Sequence, residues 1–282
     1  MKFNESVEKL IRKRISSRTY SNEELDAKII NAIKKILDSS NTGPFGDKVS
    51  FKILNLKELD PERRMRLGTY GLIKGANYFI VGVSPKETNS FIDYGYLMEE
   101  IILKLTELNL GTVWLGGSFS RKTFGKFIKL QENEFIPAIT PVGNVARIEG
   151  VIQKITRNVI QARKRKNWNQ LFFLNDFNTP LSENEAQEYA IALEMVRLGP
   201  SAKNNQPWRV IMNNDKIHFY VKIENFSKNI PIFAQLDIGI ALCHFILTCQ
   251  ERNLRGKIIV EDPLIQSTPV NYRYITSWQK TE

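Results

Sequence analysis

The stretch DYGYLMEEIILKLTELNL, residues 93–110, returns as DIGIALCHFILTCQERNL at residues 237–254. The offset is constant, 237 − 93 = 144 positions. Seven pairs are identical: Asp93/Asp237, Gly95/Gly239, Ile102/Ile246, Leu103/Leu247, Glu107/Glu251, Asn109/Asn253 and Leu110/Leu254. Both copies carry apolar residues at helical spacing and run up to a glycine, Gly111 or Gly256, where a helix C-terminus is expected. Coincidence between two amphipathic helices would not reproduce the shared Asp, Glu and Asn. A repeat of this length points to a fused dimer rather than a solenoid.

The flanks follow the same order. In each half an early helix (about 23–38; about 182–198) leads into a loop and then a strand, Val49–Leu56 or Trp208–Met212. The first half adds a strand at Tyr78–Val83. After the repeated helix come strands at Thr112–Leu115 and Ala138–Val142 in the first half, and at Lys257–Val260 in the second. The expected organisation is therefore two related α/β halves, residues 1–160 and 161–282, folded as one internal pseudo-dimer.

Composition sets wide bounds. A chain of 282 residues makes two domains or one large one and can bury roughly 75% of its unfolded surface. With 42% hydrophobic and 25% charged residues it falls outside the disordered, collagen-like and disulfide-scaffold classes. Cys243 and Cys249 lie six apart on a helical pattern and should not pair. With His218 and His244 they give no zinc constellation. Sparse cysteine suits a reducing, cytoplasmic setting. The N-terminus MKFNESVEKLIRKR has no apolar signal core. Ile230–Cys249 is mostly apolar but holds Pro231, Gln235, Asp237 and His244. A mid-span aspartate costs about 2.5–3.5 kcal/mol on insertion, so the segment is expected to be a buried core helix and no membrane partner is expected. The net charge of +10 (40 − 30) admits nucleic acid, a membrane surface, an anionic ligand or simply a solvated lysine-rich surface. Nucleic acid is not the expected partner, because aromatics are not interleaved with the basic residues as a stacking platform requires.

Three segments carry chemistry. Arg14-Ile15-Ser16-Ser17-Arg18-Thr19-Tyr20 precedes a helix expected to open near Ser21–Glu24. Two arginines with a hydroxyl between them suit a phosphate through forked, charge-assisted bonds. Pro200-Ser201-Ala202-Lys203-Asn204-Asn205-Gln206-Pro207-Trp208-Arg209 is dense in turn formers and amide side chains. The amides offer both donors and acceptors to the edge of a heteroaromatic ring. Leu110-Gly111-Thr112-Val113-Trp114-Leu115-Gly116-Gly117 places a Gly-Gly pair after a short strand, where backbone N–H groups can approach a ligand or simply turn the chain.

Taken together, R-x-S-x-R-x-Y, P-S-A-x-N-x-Q-P-W and L-G-x-x-W-L-G-G resemble the nitroreductase-like FMN oxidoreductases, over nearly the whole chain. The resemblance implies an α+β nitroreductase-like fold with FMN as cofactor, and it is to the single-chain, two-repeat branch of the family. It implies phosphate and N5-side contacts from Arg14, Ser16, Arg18, Leu115, Gly116 and Gly117. It implies ring contacts from Pro200, Ser201, Ala202, Asn204 and Gln206, phosphate contacts from Arg163 and Arg165 of the basic run 163–166, and a contact from Thr69 where the family often has an asparagine. The reciprocal set is decayed: Asp38–Phe45 lacks Gln-Pro-Trp, Asn175-Asp176-Phe177-Asn178 stands where an Arg/Ser segment should be, and Gly256-Lys257-Ile258-Ile259 replaces the Trp-Leu-Gly-Gly turn. Ile15 and Ala202 depart from the common pattern without removing a required charge. One FMN per chain follows, in a monomeric pseudo-dimer.

The activity so implied is ping-pong hydride transfer from NAD(P)H through FMN to a nitroaromatic, quinone or similar acceptor. It needs no protein nucleophile and no metal, and no catalytic side chain is assigned. No G-x-G-x-x-G fingerprint follows a strand, so the sequence does not choose between NADH and NADPH. The alternatives are a non-catalytic FMN-binding or regulatory protein, or another FMN reaction on the same scaffold, such as dehalogenation, flavin fragmentation or dehydrogenation.

Overall fold

Both repeated segments fold as long central helices. The computed structural model describes every residue except 1, 40, 59–70, 87–88, 147–163, 215, 225–228 and 282. The chain divides into two units, Met1–Ile152 and Gln153–Glu282.

The first unit has helices α1 (Val7–Lys13), α2 (Ala27–Ser39), α3 (Ser90–Glu107) and α4 (Arg121–Ile128). Its strands are β1 (Ser50–Asn55), β2 (Tyr78–Pro85), β3 (Gly111–Thr112), β4 (Glu134–Phe135) and β5 (Ile139–Gly143). The sheet runs β1-β2-β5-β3 with β4 on the end of β2, and every pairing is antiparallel. Helix α3 is buried on almost every side and packs on α1, α2, β2 and β3, as a helix apolar around most of its circumference must. A second apolar cluster joins Phe79 and Val81 to Phe119, Phe124, Ile136 and Ile139, with Phe124 fully buried.

The second unit has strands β6 (Phe172–Leu174), β7 (Trp208–Asn213), β8 (Lys216–Lys222), β9 (Gly256–Ile259) and β10 (Tyr272–Lys280). Their order is β6-β7-β8-β10-β9. The β6–β7 pair is parallel and the others antiparallel. Helix α5 (Ala190–Leu198) packs on α6 (Ile232–Glu251), which also meets β7. Among the described residues α6 is one helix long and apolar enough to cross a membrane. It is a core helix, with Asp237, His244 and Thr248 buried along with its apolar residues.

The identities in the repeat have physical reasons. Asp93 accepts the backbone N–H groups of Phe45 (2.9 Å) and Asp47 (2.8 Å). Asp237 accepts that of Ala202 (3.0 and 3.2 Å). Each aspartate thus ties the start of its helix to the loop before a strand of its own unit. Asn109 (φ 59°) and Asn253 (φ 58°) take the left-handed conformation that ends a helix. The N–H of Leu110 then bonds Leu105 O (2.9 Å), and that of Leu254 bonds Cys249 O (2.8 Å), closing a Schellman turn in both copies. The caps are therefore the asparagines, not Gly111 and Gly256. Those glycines open β3 and β9, where an added Cβ would strike Val145 or the Trp278 ring.

Several expected boundaries move. Helix α2 starts at Ala27 rather than near Ser21–Glu24, because the Asp26 carboxylate caps the Ile29 N–H (2.9 Å). The 182–198 helix is a 3-10 turn at Gln187–Tyr189 followed by α5. The strand expected at Thr112–Leu115 is only Gly111–Thr112, with Leu115 bridged separately to Ile139. Cys243 and Cys249 are reduced and buried.

Candidate functional site

In the first unit the Arg/Ser segment leaves α1 in an extended conformation, with Arg14 at φ −60°, ψ 122°. It is pinned on both sides. Ser17 N–H bonds Thr112 O (2.8 Å), Lys74 N–H bonds Arg18 O (2.9 Å) and Tyr20 N–H bonds Lys74 O (2.8 Å). Ser17 is buried, whereas Arg18 is exposed and Ser16 half-buried. Arg14 stands deeper, with its side chain 8% exposed and its Nε 3.7 Å from Oε1 of Glu99, which is fully buried. The other Glu99 oxygen accepts the Trp114 indole N–H at 2.7 Å.

Trp114 lies two residues before the Gly116–Gly117 turn. Leu115 is bonded both ways to Ile139 (2.9 Å each). The Arg121 guanidinium donates to Ile136 O (3.0 Å), Pro137 O (3.1 Å) and Gly116 O, which fixes the turn from beneath. Gly117 is exposed, its φ is not in the left-handed region and its Cβ would meet nothing within 4 Å. Neither conformation nor packing in the described structure requires glycine there.

In the second unit the loop 200–207 is tightly determined. Lys203, Asn204 and Gln206 all have positive φ (51°, 58° and 46°), conformations that persist in non-glycine residues only where the surroundings enforce them. Ala202 N–H is held by Asp237 and Gln206 N–H by Ser201 Oγ (2.9 Å). The amide side chains expected to face a ring instead clamp the basic run. Gln206 is 2% exposed. Its Oε1 accepts Lys166 N–H (2.8 Å), and its Nε2 faces Asn204 O (3.2 Å) and Lys164 O (3.4 Å). Asn204 Nδ2 donates to Lys164 O (2.8 Å), and its Oδ1 accepts from Arg165 (3.3 Å). Arg165 also donates to Leu198 O (2.9 Å). The two amides thus donate to the Lys164 carbonyl and accept the Lys166 N–H, tying the 164–166 backbone to the loop. Pro200, Ser201 and Ala202 are half-buried. Lys166, half-buried beside the positive Arg209 and Lys222, has its pKa pushed down to about 8, chiefly by burial. Burial also pushes Asp237 up to about 7 against the stabilising Ala202 N–H.

A family model described as "Putative TM nitroreductase" matches residues 6–249. The chain belongs to this nitroreductase family. A solved structure from Thermotoga maritima, described as a putative nitroreductase, matches 99% of this chain and 95% of its own at 18% identity and a TM-score of 0.64. That likeness shows the nitroreductase fold across both units. An FMN-dependent nitroreductase from Clostridium difficile R20291 covers 50% of this chain and 88% of its own (20% identity, TM-score 0.41). A nitroreductase with bound FMN from Desulfitobacterium hafniense covers 52% and 93% (15% identity, TM-score 0.42). A search of curated proteins finds no match.

In this nitroreductase-family chain, Arg14 is largely buried against Glu99, Ser16 is half-buried and Arg18 exposed, and the Gly116–Gly117 turn of the first unit has Gly117 exposed. The second unit gathers Pro200–Gln206 and Arg165. Thr69 and Arg163 lie outside the described residues. Sequence reasoning missed Glu99, Arg121 and the anchoring role of Asp237. The shared Asp93/Asp237 pair was the signal for the last, whereas nothing local marks Glu99 or Arg121.

Proposed function

We propose that this chain is an FMN-dependent oxidoreductase that passes hydride from NAD(P)H to a nitroaromatic, quinone or similar small acceptor in a ping-pong cycle. The observation that carries the reading is the family match over residues 6–249, a span that contains all three motif segments. The donor set fits FMN. Two arginines and a serine lie within five residues of one extended segment, a donor set suited to a phosphate, and the Gly117 backbone is exposed.

When bound, FMN supplies the two-electron chemistry. Arg14 and Ser16 bind the phosphate. Arg18 places its charge where the ring gains electron density and so raises its potential. Gly116 and Gly117 offer backbone N–H groups. Pro200, Ser201, Ala202, Asn204 and Gln206 are the proposed ring contacts and Arg165 a proposed phosphate contact, with Asn204, Gln206 and Arg165 also bonding one another and the 164–166 backbone. Thr69 and Arg163 belong to the same proposal, as does a cytoplasmic setting, which suits two reduced buried thiols. One monomeric chain carries one FMN.

Purified protein is expected to be yellow, to bleach anaerobically with NADH or NADPH and to recover its colour with an acceptor from a panel. A yellow protein that neither nicotinamide bleaches is a flavin binder and not this enzyme. A colourless protein that FMN cannot reconstitute ends the flavin reading.

A further inference from the structure

We infer that Glu99 is a positioning residue that sets Arg14 in register with the strand leading into the Gly116–Gly117 turn. The inference rests on the flavin reading for its consequence, not for its geometry. Glu99 is fully buried on α3 and reaches two of the segments that carry chemistry in the first unit. One carboxylate oxygen takes the Trp114 indole N–H at 2.7 Å, and the other lies 3.7 Å from Arg14 Nε. Nε is the inner nitrogen of the guanidinium, and it is sealed from solvent without a hydrogen bond. A carboxylate behind it leaves the outer pair of nitrogens to fork onto two phosphate oxygens, the arrangement in which arginine is most selective.

The second repeat supplies an internal comparison. The position 144 residues after Glu99 is Cys243, and that after Trp114 is Ile258. That half also carries Asn175–Asn178 in place of the Arg/Ser segment. Carboxylate, indole and guanidinium are present together in one half and absent together from the other. Of the polar positions Asp93, Glu107 and Asn109 are kept, while Glu100 and Lys104 become His244 and Thr248. The joint presence of the three groups in one half and their joint replacement in the other fits a carboxylate that aims the arginine and the indole.

The test is Glu99→Gln, which retains an acceptor for Trp114 and removes the charge facing Arg14. FMN and riboflavin affinities are measured by quenching of flavin fluorescence, and hydrogen exchange of the flavin-free protein is followed at residues 16–20 and 114–117. The expected result is FMN binding weakened about tenfold with riboflavin binding unchanged, and faster exchange in both segments. Unchanged or tighter FMN binding overturns the inference, because removing an opposing charge without losing aim strengthens a phosphate contact. A wild-type protein that binds FMN and riboflavin equally also overturns it, and leaves the flavin reading standing. If the wild type takes up neither flavin, the flavin reading fails and exchange alone decides: acceleration in both segments supports the tie, and wild-type exchange overturns it.

Discussion

Asp237 sits 5% exposed at the start of α6, bonded to one loop N–H, and burial raises its pKa from 3.8 to about 7. Between about pH 4 and 7 the native state therefore holds a proton that the unfolded chain has lost. Stability falls as pH rises through that window. Asp237→Asn keeps an oxygen to accept the Ala202 N–H and does not titrate. The thermal midpoint of the wild type should drop more between pH 5 and pH 8 than that of the variant, by a few degrees, and equal drops would show that the carboxylate is not desolvated. Arg18 is the other informative residue. It is exposed, and its backbone rather than its side chain is held, so Arg18→Ala should leave the fold intact, retain FMN at high concentration and slow reduction by NAD(P)H in stopped flow. Reduction at the wild-type rate would refute its role. The extended course of Arg14–Tyr20 was legible, because an Arg/Ser-rich stretch without apolar periodicity reads as neither helix nor core strand. The use of Asn204 and Gln206 was not, because their partners at 164–166 lie about 40 positions away in sequence and an amide's bonding is not visible until those carbonyls are placed.

At the scale of elements, the repeated helices could be read because long apolar periodicity is a strong signal, and their ends could be read only in part. Gly111 and Gly256 drew attention as caps, but the left-handed residues are Asn109 and Asn253. Asparagine tolerates that conformation because its short side chain bonds locally; alanine does not. Asn253→Ala should cost about 1–2 kcal/mol, a fall of several degrees in the thermal midpoint at this chain size. Asn253→Gly should match or exceed the wild type, and a Gly variant as damaged as the Ala variant would mean that the side chain rather than the φ angle matters. Short elements escaped. Helix α4 shows only Phe124, Phe127 and Ile128 at helical spacing over eight residues. Strands β8 and β10 show no clean alternation: Ile217–Val221 is buried without a break on one and Ile275–Trp278 on the other, where a bulge also falls between Tyr274 and Thr276.

At the scale of the whole chain the duplication has a stoichiometric consequence. Two copies of a fold could hold two cofactors, but each unit has kept a different set of groups. The first unit keeps Arg14, Ser16, Arg18 and the open Gly117. Its own loop is closed down, with Gly43 packed so tightly on Asp93 that a Cβ would collide and with the Phe45 and Asp47 N–H groups bonded to that carboxylate. The second unit keeps the Pro200–Gln206 loop. Where it would need an extended cationic segment it has a turn: Asn175 is left-handed at φ 63°, and Asp176 Oδ1 takes the N–H groups of Asn178 and Thr179 at 2.9 Å. An acidic side chain closing a turn repels a phosphate rather than binding it. Titration of the flavin-free protein with FMN should therefore end sharply at one equivalent per chain. Arg14→Ala should weaken that event. An end point at two equivalents, or a second event that survives Arg14→Ala, would mean that the turn at 175–178 has an anion-binding role its carboxylate argues against.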